Sequence, residues 1–292
     1  MNKRKESIKP ITTALLLAAG TGSRLYPLTK KEPKCMTSVN GKTILERLIS
    51  NLNQKNIKRL VIVTGHLEQC IRDYLGDQVG ELKIEYIFSP LYKTTNNIYS
   101  LWMARNIINE PFLLFESDLV FDASLLDEMI YPDRIALAEM QPWMNGTCVT
   151  VNQSDMVHEF LTDEMDASDE IKHKTVNIYS FSVDSWDKII NCLDIQISAG
   201  NVNSYYESVF VDLISNKDIA LKSVSFDSKP WYEIDTLEDL ALAEKIFPAP
   251  VHKIAKIATH IKLPVVDKNL LNSDSDSVIR SRKSAGVLHA YK

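Results

Sequence analysis

In the first 120 residues the apolar positions fall in short, nearly continuous runs. Ala14 to Ala19, Leu60 to Val63, Ile84 to Phe88 and Phe112 to Phe115 are the clearest. Such runs read as strands of a sheet covered on both faces. Between them the pattern changes to helical spacing. Leu45, Leu48, Ile49 and Leu52 share one face of a segment that opens at Thr43, with Glu46 placed as the capping-box partner. Further helices are predicted over about Leu67 to Leu75 and Asn97 to Ile107. Strand and helix alternate about every 25 residues, the rhythm of an α/β fold. A Rossmann-like, mostly parallel sheet with helices on both faces follows, with ligands expected at the carboxyl ends of its strands.

Past about Ala136 the rhythm is different. Thr147 to Val151 and Thr175 to Phe181 alternate, as half-exposed strands do, and predict a small mixed β insertion. Glu164 to Lys174 is polar and reads as a loop, and Tyr205 to Ile214 as a helix. Trp231 to Asp235 reads as a short strand, and Thr236 or Asp235 would cap a last helix ending near Phe247, with Asp239 in its first turn. Beyond Pro248, Ile254, Ile257, Ala258 and Ile261 share a helical face, and Ser273 to Ser277 is polar. These features divide the chain into a flexible N-terminus (1–11), one domain (12–247) and a C-terminal extension, part helical and part disordered (248–292).

The balance of 33 Lys and Arg against 38 Asp and Glu gives a net charge of −5, which argues against a nucleic-acid surface. No apolar stretch approaches the roughly 18–20 residues of a membrane span, and no secretory leader is legible, so the expected location is the cytoplasm. Cys35, Cys70, Cys148 and Cys192 show no C-x-x-C spacing and are read as reduced thiols.

The chemistry concentrates where the first strand ends. From Gly20 to Ser23 the side chains are small, so the backbone N–H groups of the loop can approach a phosphate closely. Arg24 adds a fork of donors suited to phosphate oxygens, and Lys34 a second cation. The pattern is neither G-x-G-x-x-G nor a P-loop. Asp118 ends the fourth apolar strand, next to Ser117, and Asp235 ends the short late strand. Two carboxylates beside phosphates suit Mg²⁺. A cationic acceptor would call for aromatic faces and a carboxylate. The candidates are Trp143, Tyr179, Tyr205, Tyr206, Trp231 and Tyr232 with Glu207 and Glu233, and Asn177, which a regular strand places on the same face as Tyr179. His66, at the end of the second strand, reads as structural or as lining the nucleotide site.

The stretch Leu17-Ala18-Ala19-Gly20-Thr21-Gly22-Ser23-Arg24-Leu25-Tyr26-Pro27-Leu28-Thr29, followed by Pro33-Lys34, closely resembles the signature of the sugar-phosphate and choline-phosphate nucleotidyltransferases. Thr95 to Leu101, Glu116 to Asp122 and Trp231 to Asp235 are most similar to the choline-phosphate and phosphonate cytidylyltransferase branch. The resemblance covers about residues 12–247. It implies the nucleotide-diphospho-sugar transferase fold and transfer of CMP from CTP to a small phosphorylated amino alcohol or phosphonate. It implies Mg²⁺ held by Asp118 and Asp235, the latter within Glu233-Ile234-Asp235. It assigns nucleotide binding to Leu17 through Arg24 and Lys34, with Gly65, Asn97 and Ser117, and catalysis to Arg24, Lys34, Asp118 and Asp235. A homodimer is compatible with it. Some relatives are fused to pyridoxal-phosphate enzymes; the short extension here predicts no such domain. Two other readings stand beside this one: a sugar-1-phosphate nucleotidyltransferase making a UDP- or dTDP-sugar, and a non-catalytic regulatory homologue.

Overall fold

The structure is a computed structural model describing residues 9–141, 144–161 and 171–249. Trp143, most of the N-terminal arm, most of the polar segment Glu164 to Lys174 and the extension after Ala249 lie outside the described residues.

The first apolar run is β1 (Thr13–Ala18), buried at every position. A two-stranded ribbon, β2 (Ser38–Val39) and β3 (Lys42–Thr43), leads into α1 (Ile44–Gln54), where the Thr43 hydroxyl accepts from Glu46 N as the sequence predicts. Then come β4 (Arg59–Thr64), α2 (Glu68–Leu75), β5 (Gln78–Val79), β6 (Leu82–Phe88), α3 (Asn97–Met103) and β7 (Phe112–Glu116). After them lie β8 (Leu119–Phe121), α4 (Leu126–Met129), β9 (Arg134–Glu139), β10 (Cys148–Val151), β11 (Val157–Leu161) and β12 (His173–Phe181). The domain closes with α5 (Val183–Ser198), α6 (Glu207–Ser215), β13 (Lys222–Ser225), β14 (Trp231–Glu233) and α7 (Leu237–Ile246).

One sheet runs in the order β11-β10-β12-β7-β1-β4-β6-β5, with β9 paired to β12 and β13. β7, β1, β4 and β6 are mutually parallel, and β12 joins β7 antiparallel. The strand residues split by parity. Leu16, Ala18 and Ile62 face one core with α1 and α2. Leu15, Leu17, Val61 and Val63 face another with α3, α5 and α6. Two covered faces explain why the strands read as unbroken apolar runs.

One expectation changes. The strand at Thr175 to Phe181 is not half-exposed: β12 lies between β7, β9 and β10, and eight of its nine residues are buried. The strands of the mixed insertion extend the main sheet. Alternation fails as a guide in β12 because both of its faces are covered, Val176 and Ile178 joining one core and Tyr179 and Phe181 the other. A register shift falls between Thr175 and Tyr179, with Asn177 at φ +58°.

The ribbon β8–β14 positions the late carboxylates. Glu233 pairs with Leu119, and Ile234 N donates to Asp118 O at 2.9 Å. Behind it, Leu25, Ile44, Val120, Ile234 and Ala243 form a third small core. Residues 118 and 235, far apart in sequence, are thereby fixed side by side.

Candidate active site

The loop after β1 is pinned from both sides. His66 N donates to Ala19 O at 3.0 Å, and His66 Nε2 lies 3.0 Å from the Thr29 carbonyl. Thr29 Oγ1 donates to Gly22 O at 2.7 Å. Gly22 sits at φ +61°, and a Cβ there would come within 3.0 Å of the Thr29 methyl and 3.1 Å of Lys34 Cβ, so glycine is required on both counts. Gly65 is required for another reason: a Cβ would lie 2.6 Å from Ala19 O and 2.7 Å from Tyr92.

Beside this loop lies a cavity of about 290 Å³. Of the predicted nucleotide-binding residues, Leu17, Ala19, Gly20, Gly22, Ser23, Arg24, Lys34, Asn97 and Ser117 line it. Ala18 is buried in β1, and Thr21 and Gly65 stand behind the lining. Asp118 and Asp235 close the cavity. Lys34 Nζ donates to Asp118 Oδ2 at 2.8 Å and to Asp235 Oδ1 at 2.6 Å, and Arg24 Nη2 pairs with the same Asp235 oxygen at 2.8 Å. Burial alone would lower the pKa of the Lys34 ammonium; Asp118 and Asp235 outweigh it and hold the group well above the ordinary lysine value. The other Asp118 oxygen, Oδ1, is buried without a hydrogen-bond partner. An orphaned buried carboxylate oxygen, with a second carboxylate held on the same ammonium, fits a hard divalent cation, which takes oxygen ligands and completes its shell with phosphate and water.

A second cavity, of about 410 Å³, adjoins the first, and Arg24 and Asp235 line both. Trp231 and Glu233, predicted for the acceptor, face it along with Tyr232, Met144 and Lys174. Asn177, Tyr179 and Glu207 line neither cavity, and Trp143 lies outside the described residues. Tyr179 is fully buried, its ring packed against Phe210 at 5.0 Å and Phe181 at 6.0 Å; it is a core residue and not a wall, because α5 and α6 cover the face it shares with Phe181. Asn177 turns inward at the β12 register shift and accepts from Thr175 Oγ1. Glu207, at the start of α6, is 8% exposed, with Oε2 unpartnered. Burial pushes its carboxyl up to about 7, with Glu233 adding to the shift and Lys174 opposing it. Glu116, raised by burial and then by Asp118 and Glu207, accepts from Asn97 Nδ2 at 3.1 Å. Asn97 Oδ1 in turn accepts from Tyr206 N at 2.9 Å, which ties the α6 end to the cavity.

Several lining residues escape the sequence reading. Tyr92, Thr95, Asn96, Ser100 and Glu116 line the first cavity. All but Tyr92 fall in the stretches around Asn97 and Asp118. Tyr205, read from the sequence as an acceptor-site aromatic, lines this first cavity instead. Lys174 carried no sequence signal, since it ends a polar run that reads as solvated loop.

Residues 13–155 match the family model described as nucleotidyl transferase. They form a nucleotidyl transferase domain. The domain's sequence relatives include the CMP-5'-(3-aminopropyl)phosphonate synthase of Streptomyces rubellomurinus, 27% identical over 301 residues and 93% of this chain. The chain spans about half (47%) of that protein's length. The choline-phosphate cytidylyltransferase of Streptococcus pneumoniae is 26% identical over 242 residues, covering 80% of this chain and 97% of that one. A solved structure of the CTP:phosphocholine cytidylyltransferase from Streptococcus pneumoniae superposes with a TM-score of 0.71 at 22% identity, covering 82% of this chain and 99% of the other. The nucleotidyl transferase domain therefore shares the nucleotide-diphospho-sugar transferase fold that the sequence implied.

Proposed function

We propose that the protein is a cytidylyltransferase that joins CMP from CTP to a small phosphorylated amine or aminophosphonate. The observation that carries this is the junction of the two cavities at Arg24 and Asp235. It sets a triphosphate cradle and an acceptor chamber on either side of one charged cluster. An oxygen of the acceptor's phosphate or phosphonate attacks the α-phosphorus of CTP. The new P–O bond forms as the α–β bridging bond breaks, and pyrophosphate leaves with the electron pair. The attacking group is already anionic, so no general base is needed, and catalysis is positioning and charge neutralisation.

The loop N–H groups from Ala19 to Ser23 would receive phosphate oxygens, and Arg24, 68% exposed at its side chain, is free to turn onto the β- and γ-phosphates. Lys34 would leave its carboxylates to bridge the α-phosphate and the acceptor anion. Asp118 and Asp235 would hold Mg²⁺, supported by the unpartnered Asp118 Oδ1; the ion would neutralise charge on the α-phosphate. Cytosine and the amine are supported by the two named relatives, one acting on an aminophosphonate and the other on choline phosphate.

The test is pyrophosphate release with Mg²⁺, crossing CTP, UTP, dTTP and ATP with phosphocholine, phosphoethanolamine, 2-aminoethylphosphonate and glucose 1-phosphate. Release with CTP and an amine is expected. Release confined to glucose 1-phosphate with UTP or dTTP would move the protein to the sugar-nucleotide branch.

A further inference from the structure

Lys174 lies in the middle of the fold, 3% exposed, where a lysine is costly unless its charge is answered. It is answered only in part. Nζ donates to the Thr175 carbonyl at 2.8 Å and stands 3.4 Å from Glu233 Oε2. That separation exceeds the roughly 2.7–2.9 Å of a well-made charge-assisted bond. An ammonium has three donors, and the third has no partner among the described residues. The space around it is kept open by Gly146, at φ +101°, where a Cβ would come within 3.1 Å of Nζ.

The second cavity reaches both members of this loose pair. Its other charges are committed. Arg24 is bound to Asp235, Asp235 also to Lys34, and Asp239 to the backbone N–H groups of Asp235 and Thr236. Among the described residues, only the Lys174–Glu233 pair presents a positive and a negative end, side by side and under-satisfied, to whatever enters.

We propose that the Lys174–Glu233 pair is a socket for a zwitterionic acceptor, Lys174 taking an oxygen of its phosphate or phosphonate and Glu233 its ammonium. Resting on the cytidylyltransferase reading, this names the substrate class: a small molecule whose anion and cation lie a few bonds apart, aligned head-to-tail against the protein's own pair. A sugar phosphate, with no cation, would leave Glu233 unanswered beside Asp118 and Asp235. Removing a partner from a buried charged pair is what makes such sites selective.

The test pairs each amine acceptor with its neutral isostere: 2-aminoethylphosphonate with propylphosphonate, and phosphocholine with 3,3-dimethylbutyl phosphate. With CTP and Mg²⁺ saturating, kcat/KM is expected to favour the better amine over its isostere by about 100-fold or more. Glu233→Gln is expected to cost the amine at least about tenfold more than the isostere. Lys174→Met is expected to raise the KM of both members of a pair about tenfold or more while the KM for CTP moves less than about threefold. Lys174→Arg, which keeps the charge, guards against a folding defect and is expected to recover part of the loss. Equal costs of Glu233→Gln on amine and isostere would overturn the proposal, as would a Lys174→Met effect shared equally by CTP. Calorimetric binding of the same four compounds separates the two readings. Turnover restricted to glucose 1-phosphate would sink the transfer reaction, and equal affinity for amine and isostere would sink the socket.

Discussion

Glu207 keeps a carboxyl where little water reaches it, and the consequence is a measurable dependence of stability on pH. Its folded-state pKa is about 7, against an ordinary value of 4.5. Below both values the group is protonated folded or unfolded, and no penalty arises. Between them the native state holds a proton that the unfolded chain has released, so stability falls as pH rises from about 4.5 to 7. Above that window the full cost of a buried charge remains. Glu207→Gln removes the titration. Its Tm is expected to exceed that of the parent by about 3 °C or more at pH 8 and to converge with it near pH 4.5, followed by thermal unfolding at the two pH values. At this scale the legibility of the sequence was uneven. That Arg24, Lys34, Asp118 and Asp235 belong together was readable because charged residues stand out where apolar strands end, and the four meet at one cavity. Lys174 was not, because a lysine in a polar run looks solvated, and only a partner 59 positions away on another strand explains its burial. Tyr179 was misplaced because the face it shares with Phe181 is covered by α5 and α6, which the residues of its own strand do not reveal.

The element that carries Asp235 is fastened by the start of the helix after it. Thr236 Oγ1 accepts from Asp239 N at 3.1 Å, and Asp239 Oδ2 accepts from Thr236 N at 2.8 Å and from Asp235 N at 3.1 Å. This reciprocal cap secures α7 and also the backbone of the carboxylate residue. Thr236→Ala is expected to cost about 1 kcal/mol of stability in urea unfolding. Asp239→Ala, which strips Asp235 N of its partner as well, is expected to cost more and to lower kcat at saturating CTP; equal stability losses would show that the cap serves α7 alone. The cap was visible in the sequence as Thr236 followed by Asp239. The helix α5 was not among the expected elements, although Ser182 caps it and Trp186, Ile189 and Leu193 recur at helical spacing on its buried face. The burial of β12 could not be read locally, since it depends on which strands arrive on either side.

For the molecule as a whole, the main consequence of the fold is that the nucleotide and acceptor sides were not built as separate bodies. β1 and β7 form the floor near the first cavity, β12 carries Lys174 toward the second, and β12 hydrogen-bonds directly to β7. A sheet shared in this way leaves no hinge line between the two chambers. Heat is therefore expected to melt residues 12–247 in one calorimetric transition, with equal van't Hoff and calorimetric enthalpies. The same continuity reaches further than melting. An occupant of either chamber stabilises the whole slab by mass action, so CTP is expected to slow amide exchange in the strands beneath the acceptor as well as in those beneath itself. The protein would in that sense report its ligands as a single instrument, sounding the same note whichever end is touched.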